Sequence, residues 1–110
     1  MIAELPAGPD RPLRAWVALG QPCVSVFVPV FGTHVPAALG DPATWHALAV
    51  LRDRAEADAD ALADIRGVFG PLEAELWAEA DAASTRPEKH AAFAEDIWPR
   101  MAEALSLIHI

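Results

Sequence analysis

With 110 residues, the chain has room for one domain or part of one. Its net charge of −8, with the basic residues scattered rather than grouped, repels phosphate backbones and excludes nucleic acid as a partner. No apolar run approaches a membrane span, and Met1-Ile2-Ala3-Glu4 has no basic-then-apolar leader, so neither a membrane partner nor a signal peptide is expected. The single cysteine, Cys23, excludes an intrachain disulfide and suits a reducing, cytoplasmic compartment.

Seven of the ten prolines lie at or before Pro42, so the N-terminal third reads as short extended pieces between turns. Residues 5–12, with Pro6, Pro9 and Pro12, are too broken for regular structure and predict a turn between two strands. Residues 13–19 are rich in strand formers, with Trp16 and Val17 at their centre, and Gly20-Gln21-Pro22 ends them. Residues 24–28 predict a further strand, with Val24, Val26 and Val28 on one face and Ser25 and Phe27 on the other. Pro29 either stops that strand or places it at a sheet edge, and residues 30–35 continue as extended chain. Strands are therefore expected within about 1–35.

After Pro42 the composition turns to Ala, Glu, Asp and Leu, and helices are expected over about 41–104. Asp41-Pro42 is a helix start, with Asp as the cap and Pro in the first helical position. Trp45, Leu48, Ala49 and Arg52 then predict an apolar stripe. A second helix carries Leu62, Ile65, Val68, Phe69, Leu72, Leu76 and Trp77, with a kink or break expected at Gly67 and Gly70-Pro71. A third starts at Thr85-Arg86-Pro87, with Glu88 in its first turn and Phe93, Ile97, Trp98 and Met101 as its apolar face; Pro99 should kink or restart it. The fold class expected is α+β, with two or three short antiparallel strands followed by two or three helices.

The last six residues, Leu105-Ser106-Leu107-Ile108-His109-Ile110, are what CTG TCT CTT ATA CAC ATC encodes, a string that resembles the end of a transposase-based sequencing adapter. Residues 105–110 are accordingly expected to be an adapter-derived artefact and are set aside from functional reasoning.

Several side chains bear on chemistry. His34, His46 and His90 lack HxxxH or HExxH spacing and there is no second cysteine, so no metal or cofactor site is expected. Glu56, Asp60 and Asp64 fall on one helix face at spacing four, beside Asp58, and read as a solvated acidic surface rather than a calcium loop. Arg52 lies four residues before Glu56 and predicts a weak surface ion pair. Cys23 could become a nucleophile only if the chain were cleaved after Pro22, and a buried, inert thiol is the reading preferred here.

The blocks Met1-Ile2-Ala3-Glu4-Leu5, Arg14-Ala15-Trp16-Val17-Ala18-Leu19-Gly20 and Pro22-Cys23-Val24-Ser25-Val26-Phe27-Val28-Pro29-Val30-Phe31 occur in order. They are followed by residues 45–51, Ile65-Arg66 and Phe69-Gly70-Pro71-Leu72-Glu73. This series resembles the C-terminal region of secernin-like proteins, relatives of the N-terminal-nucleophile cysteine dipeptidases, over roughly residues 1–80. The resemblance implies that residues 1–104 are the C-terminal part of one larger αββα hydrolase domain. It also implies a small peptide or amide substrate, cleaved by a cysteine at the mature N-terminus whose own α-amine, of pKa roughly 8, serves as general base. This chain begins Met1-Ile2, so no catalytic residue is assigned within it. Phe27, Val30 and Phe31, where the chain leaves the sheet, are the candidates for lining the substrate pocket, with core packing as the alternative. The competing expectation is a small acidic interaction module that offers Trp45, Trp77 and Trp98 to a partner. Exposed sheet edges in a truncated chain would favour aggregation.

Overall fold

In a computed structural model, which describes residues 1–5, 8, 13–32 and 34–108, three antiparallel strands precede three helices, a small α+β arrangement. Strands β1 (Ile2–Glu4), β2 (Arg14–Val17) and β3 (Val28–Phe31) form one sheet in the order β1-β2-β3. Its register aligns Glu4, Arg14 and Phe31 in one row and Ile2, Trp16 and Pro29 in another, so these six side chains share a face. Burial falls steadily across the sheet. All four residues of β3 are buried, all four of β2 are half-buried, and Ile2 in β1 is 58 % exposed. Most of the predicted turn at 5–12 lies outside the described residues.

The second predicted strand is displaced. Residues 24–28 were expected to pair, yet Pro22–Val24 is a 3-10 turn and the ladder begins only at Val28. Pro22 suits the first turn of a helix, and the backbone of residues 25–27 bonds to side chains of a helix instead of to a neighbouring strand. Pro29 sits inside β3 rather than at its end, which is tolerated because β3 is the outer strand of this sheet. Val24, Val26 and Val28 are all buried as the alternation predicts, but Ser25 between them is buried too.

Helix α1 (Pro42–Ala57) starts as expected: Asp41 accepts a hydrogen bond from the Ala43 amide at 2.9 Å, with Pro42 in the first turn. Its buried row is Thr44, Leu48 and Leu51: of the predicted stripe Trp45, Leu48, Ala49 and Arg52, Leu48 is buried, while Trp45 and Arg52 face outward and Thr44 and Leu51 are buried in their place. Trp45 is 47 % exposed and its indole N–H donates to the Leu39 carbonyl at 2.8 Å, so its polar edge fixes it at the surface. The helix stops where Asp58 becomes the cap of α2 (Ala59–Ala83) and accepts from the Asp60 amide at 2.9 Å. Glu56 thus belongs to α1 and Asp60 and Asp64 to α2, which dissolves the predicted common acidic face. Arg52 turns to its neighbour Asp53 at 2.9 Å rather than to Glu56.

Helix α2 runs for 25 residues, about 38 Å at 1.5 Å per residue. The break expected at Gly67 and Gly70-Pro71 does not occur. Pro71 withholds an amide from the Gly67 carbonyl, but both residues lie on the exposed side, where water can take the lost bond's place. Helix α3 (His90–Ser106) follows a 3-10 turn at Pro87–Lys89 and likewise continues through Pro99, whose unserved acceptor belongs to exposed Glu95.

The core gathers along α2. Ile65, Phe69 and Leu76 meet Leu48 and Leu51 from α1, Ile97 and Met101 from α3, and Val26, Val28 and Val30 from the N-terminal third. Of the C-terminal residues, Leu105 and Ser106 end α3 and Ile108 is buried against this core. Among the described residues, no helix is long and apolar enough to cross a membrane.

Candidate functional site

The segment leading into β3 is held almost wholly by one face of α2. Arg66 donates to the Ser25 carbonyl at 2.8 Å, the Phe27 amide donates to Glu73 Oε2 at 2.8 Å, and Trp77 Nε1 donates to the Phe27 carbonyl at 3.1 Å. Positions 66, 73 and 77 are separated by seven and four residues, so they rise on one side of the helix. Arg66 and Glu73 also face each other at 3.9 Å. These side chains satisfy the backbone that a strand partner would otherwise have satisfied.

Beyond Pro29 the chain enters the interior. The Phe31 ring stacks on the His90 imidazole at 4.0 Å between centroids with 6° between planes, and meets Phe93 edge-on at 5.7 Å. Alanines 80 and 83 of α2 close around it. His90 is buried, and its Nε2–H donates to the Ala83 carbonyl at 2.8 Å; because a carbonyl only accepts, the bond assigns the proton to Nε2. Of the three candidate pocket residues, Val30 and Phe31 are therefore interior and Phe27 alone keeps partial exposure. The structure places them in sequence along one strand and its approach, and none of them contributes to the wall of the cleft of about 740 Å³ between α2 and α3.

A second cluster ties the sheet to α2. The Arg14 guanidinium bonds to Glu4 of β1 at 2.9 Å and to Asp81 of α2 at 2.7 Å. It also lies 4.6 Å above the Trp16 ring, and Trp16 packs edge-on against Trp77 at 6.0 Å. Burial works against the charge on Arg14, but the hydrogen bonds to Asp81 and Glu4 outweigh it and hold the group above its ordinary pKa. Sequence reasoning missed this cluster because its members lie far apart along the chain; the alternation that pairs Arg14 with Trp16 on one face was its only local sign.

No family model matches the chain, and no curated protein or solved structure matches it either. The site's chemistry is thus read from its residues alone.

Cys23 was expected to be buried and is exposed. The 3-10 turn that replaces the predicted strand turns Val24 inward and Cys23 outward. The thiol borders a cleft of about 230 Å³ with Gln21, Arg52 and Glu56, a wall holding no imidazole or amine that could draw off its proton. His34 comes within 6.2 Å of His90, ring to ring, and among the described residues no three His, Cys, Asp or Glu side chains converge as a metal site would require. The arrangement provides support and packing for a strand.

Proposed function

We propose that this chain is a non-catalytic segment of a cytoplasmic, secernin-like hydrolase of amide or peptide bonds, whose N-terminal cysteine lies outside this sequence. On this reading the sheet is part of the larger sheet of an αββα sandwich and α2 and α3 are its covering helices. The observation that carries the proposal is the falling burial across the sheet: β3 is enclosed, whereas β1 has no outer partner among the described residues, and Ile2 within it and Met1 and Leu5 flanking it are exposed. An apolar, unpaired edge of this kind is what a strand of a larger sheet would cover. Within the parent, the approach to β3 would border the substrate cleft, with Phe27 as the contact and Val30 and Phe31 as its interior anchors.

Two measurements test it. Sequencing the flanking DNA should find an upstream reading frame, open into this one, that places a cysteine near the mature start. The purified chain should not hydrolyse dipeptides. An in-frame stop directly upstream, or measurable turnover by the isolated chain, overturns the proposal.

One observation favours an interaction module instead, namely that Trp45 and Trp77 are 47 % and 42 % exposed. Both indole N–H groups, however, are already bonded to backbone carbonyls within the chain, and Trp98 is half-buried against the core. These rings serve the fold first.

A further inference from the structure

A cleft of about 740 Å³ runs between the end of α2 and the start of α3. Its wall is apolar in the middle, where half-buried Phe93 lies between Ala83 and Ala92, and charged at both ends. The two ends differ. Away from the interhelical turn, Arg100 is bonded to Glu79 and stands 3.9 Å from Asp96, so cation and carboxylates compensate one another. Beside the turn, Arg86 and Lys89 form no ion pair among the described residues.

That contrast is informative in a protein of net charge −8. Arg14, Arg52, Arg66 and Arg100 each have a carboxylate within 4.0 Å, whereas Arg54, Arg86 and Lys89 form no ion pair among the described residues; of these three, Arg86 and Lys89 line this cleft together. Glu88 lies between them in the turn but does not line the cleft, so at this end the cleft wall presents the two cations beside an apolar floor. The volume lies in the range of sites for small organic ligands. A bare inorganic anion would leave Phe93 and the two alanines unused, and a polyanion would meet the repulsion of the remaining surface.

We infer that this cleft binds a small organic anion with an apolar body, its carboxylate held by Arg86 and Lys89 and its hydrocarbon or ring laid on Phe93. Arginine presents paired N–H donors that match a carboxylate, and lysine adds a mobile point charge. The site lies on the helical pair and is independent of the hydrolase reading; it stands or falls on its own residues.

The test is a titration of the ¹⁵N-labelled full chain with 4-phenylbutyrate, with 4-phenylbutanol as the uncharged counterpart. Saturable shifts at the amides of Ala82, Ala92 and Phe93 are expected, with the alcohol about tenfold weaker or worse. The double substitution Arg86→Gln, Lys89→Gln should weaken phenylbutyrate to the level of the alcohol. Both side chains are exposed and form no side-chain bond among the described residues, and the alcohol comparison needs no variant at all, so the result does not depend on the variant's folding. No saturable shift, equal affinity for acid and alcohol, or undiminished binding in a folded double variant each overturns the inference.

Discussion

The Phe27 amide donates to Glu73 Oε2 at 2.8 Å, across 46 positions of the sequence. A carboxylate on a helix here takes the place of a strand partner, and it does so for a segment with no ladder of its own. Replacing Glu73 by Ala leaves that amide unserved beside the core and should cost about 1–3 kcal/mol. Glu73→Gln keeps an acceptor and should cost less. Urea denaturation of the three proteins measures the difference; equal midpoints for Ala and wild type would show that the bond contributes nothing.

Thr44 should respond in the opposite sense. Its hydroxyl is buried with no partner among the described residues, so the isosteric change Thr44→Val removes an unsatisfied group and should raise stability by about 1 kcal/mol. Three residues earlier, Asp41→Ala removes the helix cap and should lower it by about as much. Thermal melts of both variants check the signs, and a destabilised Thr44→Val would point to a bond partner for the hydroxyl.

Phe69 lies wholly inside the core on α2. Truncation to Ala should cost about 3–5 kcal/mol, a large share of the 5–15 kcal/mol typical of a domain. Leu107→Ala, at a residue 61 % exposed, should change little. A chemical-denaturation midpoint for Phe69→Ala within error of the parent would mean that α2 does not anchor the interior.

Arg100 bonds to Glu79 and Glu75 and faces Asp96. The hydrogen bond to Glu79 raises its pKa first, with burial opposing. A cation whose folded pKa is raised adds stability that is complete below the unfolded value and is lost only as pH climbs through the folded one. Its contribution should therefore stay flat over roughly pH 6–10. Arg100→Met should cost no more than about 1 kcal/mol, since the carboxylates are exposed, and the loss should shrink in 1 M salt. A steep change in the mutant's deficit between neutral and mildly alkaline pH would contradict this.

Helix α2 should gain from losing its proline. Pro71→Ala restores the amide owed to Gly67 and should stabilise by about 1 kcal/mol or more, net of the freedom returned to the unfolded chain. Circular dichroism melts decide it, and a lowered melting temperature would mean that the proline ring packs in a way alanine cannot replace.

What could be read from the sequence was what local chemistry decides. The Asp41-Pro42 start needs only neighbouring atoms, and both the cap and the helix are found. The burial of Val24, Val26 and Val28 follows from alternation, and it holds even though the ladder starts later. What could not be read depended on competition between local bonds or on partners remote in sequence. The exposure of Trp45 goes with the carbonyl it finds at Leu39, the division at Asp58 with competition between capping and helix continuation, and the unpaired path of residues 25–27 with Arg66, Glu73 and Trp77. The candidate pocket residues were legible as strand residues, but their division into two interior anchors and one exposed ring follows from α2 and α3 closing on Phe31.

The dependence of residues 25–27 on α2 has a consequence for synthesis. The three side chains that hold this segment are 41 to 50 positions downstream of the atoms they bind. At about 5–20 residues per second, the ribosome delivers them several seconds after the valines they help to bury. Through that interval Val24, Val26 and Val28 have no core to enter. The nascent chain is thus most exposed to misassociation and to chaperone capture midway through translation, before α2 has cleared the exit tunnel.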